Sequence, residues 1–186
     1  PAAAALVLGS RQFNFTPLTS TTAYTVLAAT TAASAATWPQ VTSAQYPVHP
    51  GPALHMHWNG LPASAVAGTP LNGILTAHDQ YHNLVSTGPY VFQSYVNLEA
   101  QVFGGTGVQD PVFTPLNTVK FSSVTTPGLL GLSGVTSVIL KKAGNRYVHA
   151  YESGNAAVDT VAGGGDPIVN ILPAPLESSV YDLRFG

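Results

Sequence analysis

Eighteen glycines and fifteen prolines fall within 186 residues, roughly one breaker for every six positions. Proline removes a backbone donor and fixes φ, and glycine costs entropy inside regular structure, so long helices are hard to build from such a chain. Short strands separated by turns suit it better. The expected architecture is all-β, as a β-sandwich, a jelly-roll-like fold or a β-barrel.

Side-chain alternation agrees where it is clearest. Tyr90, Phe92, Val96, Leu98, Ala100 and Val102 fall on one face, with Gln93, Asn97, Glu99 and Gln101 opposite, which predicts a half-buried strand over 90–102. Residues 138–141 and 146–151 flank Ala143-Gly144-Asn145 and predict a β-hairpin. Weaker strand signals occur at 22–29, 41–48, 53–58, 112–113, 117–124, 167–172 and 179–185. Gly104-Gly105-Thr106-Gly107 and Gly163-Gly164-Gly165-Asp166 read as loops, as does much of 125–134. The segment near 75–85 lacks glycine and proline and puts Leu75, His78, His82 and Val85 at helical spacing, so one short helix is expected there.

Residues 1–40 differ from the rest of the chain. Thr, Ala and Ser dominate 16–37, Tyr24 is the one aromatic within it, and Phe13 and Phe15 stand just upstream. This predicts an extended N-terminal arm and first strand over 1–40, then a single β-rich domain over 41–186, a length at which burial can sustain a core unaided. No cysteine is present to staple the fold.

Charge bounds the function. Asp, Glu, Lys and Arg make up 8% of the chain, where an ordinary soluble domain carries about 25%. With 45% hydrophobic residues and a net charge of −2 the chain should fold. Its surface must then be largely neutral, and little repulsion keeps neighbours apart. Such a surface suits a molecule covered by partners. Arg11, Lys120, Lys141, Lys142, Arg146 and Arg184 are too few and too scattered to neutralise many phosphates, which argues against direct nucleic-acid binding. Lys141, Lys142 and Arg146 make only a small patch, expected to be a solvated turn. Coat proteins that condense RNA resemble one another in carrying a basic arm, and this arm has no basic cluster. The longest apolar stretches, within 2–8 and 26–36, are shorter than the roughly 20 residues that span a bilayer. The start Pro1-Ala2-Ala3 has no basic region of the kind that opens a signal peptide, so no membrane association is expected.

Histidine is the one reactive residue type present in numbers. His55 and His57 form His-x-His on an expected strand, where alternation points both rings to one face. His78 and His82 share a face if their segment is helical. Each pair could supply two imidazoles to zinc or iron, and together they could make a four-nitrogen site. His55 and His57 resemble the opening of a cupin metal site, which also begins with His-x-His on a strand, but the following Glu and the later Gly-rich half of that pattern are missing. The plainer expectation is polar-face histidines and a capped helix, with no metal, cofactor or catalytic residue assigned. Asp79, Glu99, Asp110, Glu152, Asp159, Asp166, Glu177 and Asp182 are scattered, no Gly-x-Ser-x-Gly occurs, and the glycine runs lack a Gly-Lys-Ser/Thr ending. The chain is therefore expected not to be an enzyme.

Low charge, absent cysteine, short strands and a terminal arm resemble the composition of virion shell components and of extracellular fibre or pilus subunits. The expected function is a structural virion protein, an outer capsid cement or decoration protein of a tailed phage, located on the capsid surface. Its expected partners are copies of itself, with a trimer as one arrangement, and a major capsid protein. Two other classes fit the same residues. A secreted carbohydrate-binding or fibre and pilus β-domain would use Tyr24, Tyr46, Trp58, Tyr81, Tyr90, Tyr95, Tyr147 and Tyr151 at an extracellular surface. A metal-dependent β-barrel enzyme would use the histidine cluster.

Overall fold

A computed structural model describes residues 12–29, 40–102, 112–113, 118–121, 129–132, 138–161 and 163–175. Its elements are all strands: β1 Thr21–Tyr24, β2 Leu27–Ala28, β3 Val41–Thr42, β4 Tyr46–Val48 and β5 His55–Asn59. They continue as β6 Ser64–Val66, β7 Pro70–Leu71, β8 Gly73–His78, β9 Tyr95–Val102 and β10 Val112–Phe113. The last are β11 Thr118–Lys120, β12 Leu129–Leu132, β13 Val138–Ile139, β14 Gly144–Glu152 and β15 Ile168–Leu172. Among the described residues no helix occurs, and none is long and apolar enough to cross a membrane.

Five strands form the largest sheet, in the order β11-β9-β14-β15-β6. Its centre is the antiparallel β9–β14 pair, in register from Val102 against Arg146 to Val96 against Glu152. The alternation expected over 90–102 holds within β9, where Val96, Leu98 and Ala100 are buried and Val148 and Ala150 face the same core from β14, but the strand starts at Tyr95, residues 90–94 lie outside it, and Tyr90 is exposed. Only the β15–β6 pair in this sheet is parallel. A three-stranded sheet, β12-β8-β5, adds Met56, Leu75 and Ala77 to the same hydrophobic cluster, and Phe121, just after β11, joins it with its ring edge to face against Phe92 at 4.8 Å. A third sheet, β10-β13-β7, places Val138 and Leu71 in that core. Pro47 and Pro70 sit in edge strands, where a missing N–H costs no ladder bond.

Two expectations need correction. The segment near 75–85 is not a helix. Gly73–His78 is strand β8, paired with β5 on one edge and β12 on the other, and the Val85 amide donates to the Ala77 carbonyl at 2.9 Å. The spacing of Leu75, His78, His82 and Val85 fits a helix, but Leu75 and Ala77 also alternate as a strand does, and ladder bonds along both edges decide the outcome. The Asp79 carboxylate then closes a tight turn by accepting from the amides of Tyr81 at 2.8 Å and Asn83 at 2.9 Å. Competition of this kind is how aspartate diverts a chain from helix.

The expected hairpin at 138–151 is also absent. Val138–Ile139 pairs with β10 and β7, whereas β14 has both edges filled by β9 and β15. Residues 140–143 carry the chain from one sheet to another. Within 125–134, expected to be loop, Leu129–Leu132 is strand β12; the strand expected at 179–185 and the glycine run at 104–107 lie outside the described residues.

At the N-terminal end, β1 pairs with β4 and β2 with β3, so 21–28 and 41–48 form one antiparallel ribbon. An aromatic group of Phe15, Tyr24 and Tyr46 clusters along it, with centroids 5.8 Å and 6.4 Å from the Tyr46 ring. No described residue from 12 to 49 is buried.

Candidate metal centre

Strand β5 delivers His55 and His57 to one face because successive side chains alternate. On the neighbouring strand β8, His78 stands directly opposite His55, and Thr76 opposite His57. Four polar residues therefore share one face of the three-stranded sheet, while Met56 and Ala77 fill the core behind it.

His82 reaches the same face by a different route. The Asp79 turn folds the chain back so that His82 meets β5, not by helical spacing but by a backbone in the left-handed region, φ 62°. It is the one described non-glycine residue with positive φ. Such a conformation is uncommon, and it persists where the surroundings fix it. Here they do: Asp79 also accepts from the Gly51 amide at 2.9 Å and from the Asn83 side chain, and His78 Nδ1 lies 3.0 Å from the His82 carbonyl.

The four rings are crowded. Centroids lie 4.6 Å apart for His55 and His82, and 4.9 Å apart for both His55–His57 and His57–His78. His55 Nε2 and His82 Nδ1 are 3.1 Å apart. One ring nitrogen from each of His55, His57 and His82 falls within a sphere of mutual separations no wider than 4.8 Å. His78 is committed elsewhere. A carbonyl only accepts, so Nδ1 of His78 carries its proton toward His82, and Nε2 lies 2.8 Å from the Thr76 hydroxyl, which in turn donates to the His57 carbonyl. The four-histidine cluster thus divides into three rings with available nitrogens and one that braces them.

Burial lowers the pKa of His55, and the neighbouring His57, His82 and His78 lower it further against the opposing pull of Asp79. Burial, then His78 and His82, lowers that of His57. Both are accordingly neutral near pH 7, the form in which imidazole donates a lone pair. Exposure is graded from buried His55 through half-buried His57 to exposed His82, so the cluster opens to solvent at His82. A cleft of about 430 Å³ lies on the arm side of the turn, lined by Pro17, Leu18, Val48, Leu54, Tyr81 and Asn83, and none of the four clustered histidines lines it.

A second polar group lies on the outer face of β14. Asp166 holds His149 Nδ1 at 3.0 Å, and this contact, against opposing desolvation and helped by Asp159 and Glu99, raises the His149 pKa. The Thr160 hydroxyl donates to Asp166 and accepts from the Ala150 amide at 3.1 Å. In a nucleophile–histidine–acid relay the hydroxyl and the carboxylate sit on opposite ring nitrogens. Here both sit at Nδ1, and Thr160 is buried, so the trio ties down the 158–166 segment instead. Gly163 shows how tightly: a Cβ there would lie 2.0 Å from the Met56 carbonyl oxygen, so only glycine lets this segment cross behind β5. Tyr151 donates to Glu99 at 2.9 Å, which raises the tyrosine pKa.

Of the small basic patch expected to be a solvated turn, Arg146 is buried and donates to the carbonyls of Asn145 and Ala143. The sequence pairs His55 with His57 and His78 with His82 and leaves open whether the two pairs converge; the structure brings all four rings together, with His82 arriving through a turn and not a helix. Sequence reading missed Asp79 as the organiser of the turn, for which the Asp79-to-Asn83 spacing was the available signal. No family model matches the chain, and a comparison with curated proteins yields no match.

Proposed function

We propose that this chain is a structural virion subunit, an outer capsid cement or decoration protein of a tailed phage, that strengthens a shell by docking against copies of itself and a major capsid protein. The observation that carries this reading is the N-terminal ribbon. No described residue of it or of the segment just before it is buried: Leu27 and Val41 on the ribbon and Phe13, Phe15 and Leu18 upstream are between 44% and 62% exposed. An isolated two-stranded ribbon is marginal in water, and apolar side chains displayed along it gain most when another surface covers them.

The scarcity of charge supports the same reading, because a neutral face can be buried without stranding ions. Removing apolar area from water contributes about 25 cal/mol per Å², so a modest contact repeated over a closed lattice yields a shell in which many contacts must fail together. With no basic cluster in the arm, the outer surface of the capsid suits it better than the genome side. The finer architecture belongs to this proposal too. Side chains of β5 and β8 share one core with those of β9, β14 and β15, as in a sandwich or jelly roll built from two facing sheets.

The test is cosedimentation with expanded heads assembled from the major capsid protein of the same genome. The native chain is expected to pellet with heads, and a Leu27→Glu, Val41→Glu variant to stay in the supernatant. Equal pelleting would remove the ribbon from the mechanism, and failure of the native chain to pellet would count against the virion role.

A further inference from the structure

We infer that His55, His57 and His82 form a site for one divalent transition-metal ion of the zinc class, with His78 as the positioning residue that aims His82. This goes beyond the assembly role and does not depend on it.

The ligand set points to the metal. Imidazole nitrogens alone suit zinc, copper or nickel, whereas magnesium and calcium require oxygen donors that the cluster does not offer. The spacing suits a tetrahedral ion. With bonds of about 2.0–2.1 Å, nitrogens around one zinc lie roughly 3.3 Å apart. His55 Nε2 and His82 Nδ1, at 3.1 Å, already stand at that separation. All three ligand atoms lie within 4.8 Å of one another. Three protein nitrogens leave a fourth position, and it faces solvent where His82 is exposed.

Preorganisation is the second argument. A histidine in the left-handed region is an unusual expense for a surface turn, and the turn fixes it from both sides through Asp79 and through the bond from His78 to the His82 carbonyl. A backbone held this way keeps the His82 ring over β5. The three rings crowd together with one hydrogen bond among them, between His55 and His82.

The site also touches the arm. Asn83, next to His82, donates to the Leu18 carbonyl at 2.7 Å and accepts from the Ser20 amide at 2.9 Å. An ion that joins His82 to β5 therefore steadies the turn on which the arm is pinned, and slower hydrogen exchange at the Ser20 amide is expected when the ion is bound.

Tag-free protein stripped with a chelator and then titrated calorimetrically with Zn²⁺ tests the site. The expected result is one ion per chain, a higher melting temperature with Zn²⁺, and no response to Mg²⁺. His57→Gln and His82→Asn should each abolish stoichiometric binding, the asparagine being chosen because it tolerates positive φ. His78→Gln should keep one site but weaken it by about 10- to 100-fold, as loss of a bracing partner does. His49→Gln, outside the cluster, should bind as the native chain does. Substoichiometric zinc on the folded native chain would overturn the site whether or not the variants fold, and so would zinc binding that survives the paired His57→Gln, His82→Asn change.

Discussion

Strands β9 and β14 and the N-terminal ribbon are both antiparallel pairs, yet only one of them is a structure in its own right. Along β9 and β14, every second side chain from Val96 to Ala100 and from Arg146 to Ala150 is buried, and hydrogen bonds on the outer edges continue into β11 and β15. The ribbon of 21–28 and 41–48 has the same pairing and none of the burial. The two regions therefore differ both in the ladders that flank them and in burial. The central pair draws its stability from apolar area removed from water, whereas the ribbon's apolar side chains Leu27 and Val41 remain exposed.

The sharpest test of this contrast places the same substitution in both regions. Leu98→Ala empties a fully enclosed site and is expected to cost about 2–5 kcal/mol, read as a lower denaturant midpoint. Leu27→Ala, at an exposed position, should move the midpoint by less than about 0.5 kcal/mol. Equal losses would mean that the ribbon is packed in solution and would break the comparison.

The next largest effect concerns how the core sheet is sealed at its loop. Thr160→Val keeps the shape but removes the hydroxyl that serves Asp166 and the Ala150 amide, and about 1–3 kcal/mol of stability should be lost in equilibrium unfolding. No substitution of the ribbon serine Ser43, whose hydroxyl accepts from Val26 at an exposed position, should approach that cost.

Much of the core pair was legible in the sequence because alternation is local: Val96, Leu98 and Ala100 mark their face without reference to any partner. Residues 75–85 were not, because their apolar spacing satisfies two periods at once. What decides between them is the ladder with β5, whose residues lie about twenty positions earlier. The hairpin failed for the same reason, since the choice of sheet is made by partners distant in sequence. The candidate site shows both sides. His55 and His57 could be placed on one face from spacing alone, and His78 and His82 were rightly put together on a wrong premise. Their meeting, and the His149–Asp166 contact across the glycine run, depend on turns whose geometry Asp79 and Gly163 set through contacts that no local pattern displays.

A smaller effect is expected from pH. The His149 pKa is raised in the folded chain, chiefly by Asp166, with Asp159 and Glu99 also facing it and Tyr151 stacked beside it. The folded state then binds the proton more tightly than the unfolded state. Its contribution is complete below the ordinary histidine value of 6.5 and is lost as pH rises through the folded pKa. Unfolding midpoints measured from pH 6 upward should fall more steeply for the native chain than for Asp166→Asn. Parallel curves would show that the ion pair adds nothing to the core sheet.

The smallest effect on stability is expected from the ribbon, where the proposed assembly role predicts the clearest change in association. Leu27→Glu with Val41→Glu should leave the unfolding midpoint almost unchanged, because neither side chain is enclosed. Sedimentation velocity on both proteins over rising concentration measures the ribbon's role directly. The native chain is expected to shift to larger species as concentration increases, and the doubly substituted chain to remain a monomer. A native chain that sediments as a single monomeric species at every concentration, with no shell or companion that retains it, would contradict the ribbon as a docking element.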